Sequence, residues 1–147
     1  MHISNQVEYS KLTGRQQENY NFVKLSAVLA DFGFATVRLT DDWCGADFIA
    51  MHMDGKTLLK VQLKGRLYFG KKYLGKDLLF GFCANGDWYL YPHDSVLEQA
   101  LIKTNIGQTD SWITAGGYSF PQLREPMYGV LQPYKIRPGF NIPTQSL

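Results

Sequence analysis

Residues 45–65 read GADFIAMHMDGKTLLKVQLKG and predict two antiparallel strands joined by a tight turn. The first strand is the largely apolar run 46–53, and the second is the run 57–67, in which apolar and polar side chains alternate. The MDGK turn at 53–56 contains the Asp-Gly pair that short hairpin turns favour. The two strands are therefore expected to be neighbours in one sheet.

Polar side chains from both strands are expected to meet at one edge of this sheet. Asp47 lies near the start of the first strand, which in an antiparallel pair faces the later half of the second. Gln62 and Lys64 share a face there, because side chains alternate along a strand. The Asp47 carboxylate, the Gln62 side-chain carbonyl and the Leu63 backbone carbonyl form the kind of oxygen-rich site that Mg²⁺ prefers. Lys64 would lie beside it, placed to orient or help deprotonate a water or to offset charge on a phosphate.

A helix is predicted before the hairpin, over residues 12–32. Thr13 followed by Gln16 has the form of a capping box, and apolar residues then recur at intervals of three and four. Glu18 lies four residues before Phe22 and therefore on the apolar face of this helix. That carboxylate is a candidate for the site, and the alternative is that it stabilises the first helical turn through the helix dipole.

Other strands and a second helix complete a predicted α/β (α+β) domain. A β-branched strand at 34–40 precedes the hairpin, and two strands at 77–83 and 88–92 form a second hairpin. A short helix follows at 95–103, with Asp94 as its expected N-cap. The predicted order of elements is therefore a helix, three strands, a basic loop, two strands and a helix.

The chain from residue 105 onward differs in composition from the part before it. Five of the six prolines lie between residues 121 and 143, and aromatic residues are interspersed with them. Prolines at this density exclude long regular elements, whereas the aromatic residues argue against a free linker. We expect a domain over residues 1–104 and an irregular extension over 105–147, packed on the same domain or on a neighbouring subunit.

Length and composition exclude several classes of protein. A chain of 147 residues suits one compact domain. No apolar run approaches the roughly 20 residues of a membrane helix, and the start of the chain has no secretory signal, so a cytoplasmic protein without membrane contact is expected. Cys44 and Cys83 are too few for a disulfide framework or a zinc site and are expected to be free, buried thiols.

Charge is distributed unevenly although the net charge is only +2. Seven of the fifteen basic residues fall between residues 56 and 76, with no acidic residue between Asp54 and Asp77. Interleaved basic and aromatic side chains suit contact with phosphates and stacking on bases. The candidate nucleic-acid-binding residues are Lys60, Arg66, Lys71, Lys72, Tyr73 and Lys76. The alternative is a solvated lysine-rich loop with a few core aromatics.

The spacing around Asp47 resembles that of the PD-(D/E)XK nuclease superfamily, which has the restriction endonuclease-like fold. The similarity rests on GADFIA at 45–50, the hairpin, VQLKG at 61–65 and the preceding helix with Glu18, and it covers roughly residues 12–92. It implies a mixed central sheet flanked by helices and a divalent-metal phosphodiesterase, such as a Holliday junction resolvase or a homing endonuclease. Nucleic acid, DNA rather than RNA, would be the partner, and double-strand cleavage would favour a homodimer.

The resemblance assigns roles to four side chains by matching position. Asp47 would be the metal-binding acid, Gln62 would replace the usual Glu or Asp, Lys64 would be the motif lysine, and Glu18 would be the acid that some members carry on the first helix. Together with the Leu63 carbonyl, the three side chains other than Lys64 would bind Mg²⁺ or Mn²⁺. Ala46 stands where the family often has proline.

Gln62 leaves a second function open. An amide carbonyl binds a divalent ion more weakly than a carboxylate and leaves the site one negative charge short, although some family members use Gln here. The leading expectation is a metal-dependent nuclease, and the alternative is an inactive nucleic-acid-binding or protein-interaction module on the same fold. For Asp47 and Lys64 individually, the alternatives are an acid that satisfies backbone donors and a lysine that protects a sheet edge.

Overall fold

The structure is a computed structural model and describes residues 3–143. Three α-helices occur in chain order: α1 (Gly14–Ala30), α2 (His93–Lys103) and α3 (Met127–Leu131). Seven strands occur with them: β1 (Phe34–Trp43), β2 (Ala46–His52), β3 (Leu58–Leu63), β4 (Tyr68–Gly70), β5 (Leu79–Ala84), β6 (Asp87–Pro92) and β7 (Gly117–Ser119). Short 3-10 and π-helical turns connect several of these elements.

The central sheet has five strands in the order β1-β2-β3-β5-β6. Strands β3 and β5 are parallel, and the other neighbouring pairs are antiparallel. Both predicted hairpins are present, and helices flank the sheet, so the expected mixed α/β fold is confirmed. A second sheet pairs β4 with β7, and this pairing was not predicted.

Helix α1 begins with the predicted capping box. Thr13 Oγ1 accepts a hydrogen bond from Gln16 N, and Gln16 Oε1 accepts one from Thr13 N. The helix buries Leu25 against the sheet at Gly81, where an added Cβ would lie 2.6 Å from Leu25 Cδ2. Gly81 thus permits the close approach of the helix. Among residues 3–143, no helix is both long and apolar enough to cross a membrane.

The described part of the extension packs into the same core as the second hairpin. Trp112, Met127 and Leu131 are buried in one cluster with Phe82 of β5 and Tyr89 of β6. The extension carries short helical turns and β7 rather than long elements, as the prolines indicate. The boundary between a domain and an extension at residue 104 remains a prediction. Residues 144–147 of the extension lie outside the described residues.

Three local expectations are corrected by the structure. The strand predicted at 57–67 ends at Leu63, because the chain leaves the central sheet and turns toward β4. Asp94 is not the N-cap of α2: Pro92 occupies that position, and Asp94 Oδ2 accepts a hydrogen bond from Gly75 N at 2.9 Å. Cys44 is exposed rather than buried, since it lies in the turn between β1 and β2.

Candidate active site

Asp47 and Gln62 lie side by side across the β2–β3 pair. The register pairs Phe48 with Val61. Because the strands are antiparallel, Asp47, which precedes Phe48, lies opposite Gln62, which follows Val61. Asp47 Oδ2 accepts hydrogen bonds from Gln62 Nε2 at 2.9 Å and from the Leu63 backbone N–H at 2.8 Å. Gln62 Nε2 also lies 3.2 Å from the Leu63 carbonyl oxygen, to which it donates. The structure therefore brings together the three residues whose oxygens the sequence placed at one site.

A pocket of about 400 Å³ opens at this edge of the sheet, and we call it the Asp47 pocket. It also contains Glu18 from the first turns of α1 and Lys64, the residue that follows β3, so all four predicted site side chains line one cavity. Its complete lining is Glu18, Asn21, Phe22, Arg38, Leu39, Asp47, Gln62, Leu63, Lys64 and Gly65.

Burial raises the pKa of the Asp47 carboxyl above its ordinary value. The hydrogen bond from Leu63 N–H and the charge of Lys64 act in the opposite direction, while the nearby Glu18 carboxylate raises the pKa further. A half-buried carboxylate beside a second carboxylate gains from a cation that replaces the lost solvation. Two acidic groups thus share a pocket in which positive charge is favoured.

The Lys64 ammonium is held between two tyrosine rings. Its Nζ lies 4.5 Å from the ring centroid of Tyr68 and 5.4 Å from that of Tyr73. Both distances are within the range of cation–π attraction, which is electrostatic and restricts the position of the charge. The rings therefore restrict the position of the Lys64 ammonium without neutralising its charge.

The oxygen atoms of Asp47, Gln62 and Leu63 are ligands of the kind that a hard divalent cation prefers. They carry one negative charge fewer than they would with carboxylates at both positions 47 and 62. Asp47 Oδ2 and the Leu63 carbonyl oxygen both face the Gln62 amide nitrogen. Rotation of that amide would bring Oε1 toward the same two oxygens, an arrangement that a cation stabilises and that is repulsive without one. Within residues 3–143, no group of three or more His, Cys, Asp or Glu side chains is placed to hold a metal ion. Any ion here would thus depend on neutral oxygen ligands.

A second depression of about 320 Å³ continues from the Asp47 pocket, and we call it the Lys72 depression. Leu39, Asp47 and Gln62 line both, so the two depressions adjoin, and we refer to them together as the groove. Lys72 and Lys76 line its second part, and so do the carboxylates of Asp41 and Asp42. Together with Arg38 and Lys64 in the first part, the two lysines place basic side chains on both sides of the Asp47–Gln62 pair.

The remaining predicted nucleic-acid-binding residues lie in different places. Arg66 is exposed and lines a separate depression with Arg124. Lys71 lies over the ring of Trp112, with Nζ 5.2 Å from the ring centroid, and Lys60 Nζ donates to the backbone carbonyl of Lys76 at 3.2 Å. The basic segment is therefore spread over more than one surface.

Tyr73 is not available for stacking on a base, which corrects that part of the prediction. Its side chain is only 5% exposed and packs edge-on against Phe80 and His93 in the core. Lys64 and Lys72 lie over its ring. The Tyr73 ring thus makes cation–π contacts with Lys64 and Lys72 instead of stacking on a base.

Sequence reasoning missed two residues of the Asp47 pocket, Asn21 and Arg38. Asn21 follows Glu18 by three positions on α1, so helical spacing alone could have placed it on the same face. Arg38 lies on β1 opposite Phe48, with its guanidinium hydrogen-bonded to Asn19 Oδ1 at 3.0 Å. Its approach to Asp47 depends on the register of β1, for which the sequence carries no local signal.

No family model and no curated protein sequence matches the chain. Among solved structures, it is similar to Hjc, a Holliday junction resolvase from Archaeoglobus fulgidus, with 18% identity, a TM-score of 0.39, and coverage of 48% of this chain and 74% of that one. It is also similar to the bacterial homing endonuclease I-Ssp6803I, with 15% identity, a TM-score of 0.45, and coverage of 84% and 86%. The similarity concerns the fold alone.

Proposed function

We propose that this protein is a nuclease that depends on Mg²⁺ or Mn²⁺ and hydrolyses phosphodiester bonds in DNA. The observation that carries the proposal is the convergence of Asp47, Gln62, the Leu63 carbonyl and Lys64 in one pocket, with basic side chains along the same groove. The side-chain types match each requirement of the reaction: oxygen ligands for a cation, a positioned ammonium and a path for a polyanionic strand.

Asp47, the Leu63 carbonyl and the Gln62 side-chain carbonyl would hold the cation, with Glu18 as a further acid across the pocket. A divalent ion in such a site polarises a phosphoryl oxygen and lowers the pKa of water. Lys64 lines the same pocket, and it would orient the attacking water or offset the charge that develops on the phosphate. The Tyr68 ring would restrict the position of its ammonium. Arg38 would contribute a second positive charge from β1.

The proposal is tested by incubating the purified protein with plasmid, single-stranded and branched DNA in the presence of Mg²⁺ or Mn²⁺. Asp47→Ala and Lys64→Ala should each reduce cleavage by about 100-fold or more, the usual cost of removing a group that stabilises charge in the transition state. The matched controls are Asp31→Ala and Lys103→Ala, which change the same residue types on exposed surface outside the groove. Equal cleavage by all four variants would assign the activity to a contaminant and reject the proposal.

The second candidate is a nucleic-acid-binding module without catalysis. It is favoured by the Gln62 amide nitrogen, which donates to both oxygens that a cation would need. This candidate predicts binding of DNA that weakens steeply with salt, through counterion release, and no cleavage with either metal. A protein-interaction role for the aromatic extension gains no comparable support, since Trp112 is buried in the core of the same chain.

The proposed activity bears on the oligomeric state of the protein. Cleavage of both strands of a duplex by a chain with one site usually needs two copies, so we propose that the protein acts as a homodimer where its substrate is duplex DNA. Sedimentation of the protein alone and with a short duplex measures this directly. A complex of one chain with one duplex, which cuts both strands, would contradict the dimer.

A further inference from the structure

A further depression, of about 390 Å³, lies beside the Asp47 pocket and is rich in aromatic side chains. Its rings are those of Tyr9, Tyr20 and Trp88, and we call it the aromatic pocket. Its complete lining is Tyr9, Tyr20, Asn21, Lys24, Gly65, Cys83, Gly86 and Trp88. The proposed chemistry of the Asp47 pocket uses none of these rings.

The two tyrosines are exposed yet held in defined positions. Tyr9 is 38% and Tyr20 is 40% exposed, and their rings meet edge-on with centroids 5.3 Å apart. Tyr9 precedes α1 and is fixed to it twice: its hydroxyl accepts from Asn21 Nδ2 at 2.9 Å, and its carbonyl accepts from Gln17 Nε2 at 3.1 Å. Ring surface that is ordered but open to solvent provides a preformed stacking surface.

The electrostatics of the aromatic pocket favour an anionic ligand. Its lining contains one cation, Lys24, and no carboxylate. Lys24 Nζ lies over one face of the Tyr20 ring, 5.3 Å from its centroid, so the charge borders the part of the ring that is exposed to solvent. A flat ring joined to a negatively charged group fits this combination.

The aromatic pocket is continuous with the Asp47 pocket. Asn21 and Gly65 line both cavities, and Gly65 places no side chain between them. The nearest atom to a Cβ built at position 65 is Tyr9 Oη at 4.0 Å, so the space beside Gly65 at the boundary of the two pockets is not filled by a side chain. A strand with a phosphate beside Lys64 would thus have an adjacent nucleotide at the aromatic pocket.

We propose that the aromatic pocket binds one unstacked nucleobase of the strand whose phosphate lies in the Asp47 pocket. The inference rests on the proposed nucleic-acid function and adds a base-binding subsite to it. Stacking on an aromatic side chain is tolerant of base identity, because every base has a π-face. The subsite therefore favours single-stranded or distorted segments, whose bases can leave the helix, over regular duplex.

The test compares two oligomers of equal charge, a hexanucleotide of thymidine and the same hexamer with abasic sugars throughout. Binding is measured in EDTA, so the result does not depend on cleavage. The wild-type protein should bind the base-containing oligomer about tenfold more tightly or better, as expected for stacking of a single base. Tyr20→Ala should reduce this preference toward unity and leave the affinity for the abasic oligomer unchanged.

Three further variants separate loss of stacking from loss of structure or of phosphate contact. Tyr20→Phe retains the ring and should restore the preference, whereas Tyr128→Ala, which removes a tyrosine of similar exposure outside the pocket, should not change it. Lys72→Ala should weaken binding of both oligomers equally.

Two results would overturn the base-binding subsite: equal wild-type affinity for the two oligomers, including no binding of either, or an undiminished preference in Tyr20→Ala. Failure of the nuclease proposal is recognised separately, by the absence of cleavage in Mg²⁺ or Mn²⁺. A preference for the base-containing oligomer in EDTA, together with no cleavage of DNA, would support the base-binding subsite and contradict the nuclease proposal.

Discussion

The Gln62 amide nitrogen lies 2.9 Å from Asp47 Oδ2 and 3.2 Å from the Leu63 carbonyl oxygen, and it donates to both. One neutral side chain therefore satisfies two acceptors that would otherwise face each other in a half-buried pocket. A carboxylate at position 62 could not do this, because an ionised carboxylate has no proton to donate. Glutamine at position 62 thus stabilises the site in the absence of an ion and gives it one negative charge fewer than a carboxylate there would.

Replacement of Asp47 by asparagine should stabilise the protein in EDTA. Burial raises the pKa of Asp47, so the folded state binds its proton more tightly than the unfolded state does, and the free energy of unfolding falls as pH rises through that pKa. Asp47→Asn removes the buried charge and keeps an oxygen that can accept from Leu63 N–H. Its melting temperature should exceed that of the wild type at pH 7, and the difference should shrink toward pH 3.

The control for this measurement is Asp110→Asn, which changes an exposed acid that makes no side-chain cap hydrogen bond and lines neither the Asp47 pocket nor the Lys72 depression. A melting temperature of Asp47→Asn below that of the wild type at pH 7 would show that the carboxylate is stabilising in the folded state. The same variant should be inactive with Mg²⁺, so stability and activity are expected to change in opposite directions.

Gln62→Glu should strengthen the response to divalent ions. The variant places two carboxylates side by side, which destabilises the protein without metal and increases the charge available to a cation. The measurement is thermal denaturation with and without Mn²⁺ at about 10 mM, because weak sites bind divalent ions in roughly the millimolar range. Mn²⁺ should raise the melting temperature more in Gln62→Glu than in the wild type. Gln122→Glu adds the same charge elsewhere and should show the wild-type increment. An equal increment in both variants would argue against a cation site between Asp47 and residue 62.

Neighbouring lysines should differ in their contribution to DNA binding. Lys72 lines the groove, whereas Lys71 lies over the Trp112 ring and lines neither part of the groove. Lys72→Glu should weaken binding and reduce the slope of log affinity against log salt by about 0.7 to 0.9, the value for one lost phosphate contact. Lys71→Glu carries the identical charge change and should have a smaller effect. The reverse order would place the strand on the Trp112 surface instead.

Acidification should lower the free energy of unfolding of the protein, because His93 is buried as a neutral side chain. His93 is buried, its Nε2 accepts from Gly70 N–H at 3.1 Å, and its Nδ1 lies 2.7 Å from Asp94 Oδ1. Burial lowers the pKa of His93 despite the opposing effect of Asp94. The unfolded state therefore takes up a proton at higher pH than the folded state, and the free energy of unfolding falls as pH drops below about 6.5.

Denaturant unfolding at several values between pH 7.5 and about pH 5 measures this loss. His93→Gln can still accept from Gly70 and does not titrate, so its profile should be flatter than that of the wild type. Parallel profiles for the two proteins would show that other groups cause the acid sensitivity.

Short-range patterns were sufficient for the elements that build the site. The capping box of α1 involves residues three apart, and the β2–β3 hairpin is encoded by a turn and two adjacent strands. Because alternation along β3 and the antiparallel register are local properties, Asp47, Gln62 and Lys64 could be placed at one edge of the sheet before the structure was known. The pairing of β4 with β7 joins segments almost fifty residues apart, and strands of three residues have no detectable period.

Local chemistry in the chain thus specified the hairpin, the capped helix, the concentration of basic residues and the set of candidate ligands. Long-range packing decided the rest: the burial of Tyr73 beneath Lys64 and Lys72, the entry of Arg38 into the Asp47 pocket, and the aromatic pocket beside it. The physical reason is that helix caps, tight turns and the alternation of side chains along a strand depend on residues close in sequence. The environment of a side chain depends instead on which distant segments pack around it. The orientation of the Gln62 amide belongs to the second class, because it follows from the oxygens that Asp47 and Leu63 present to it.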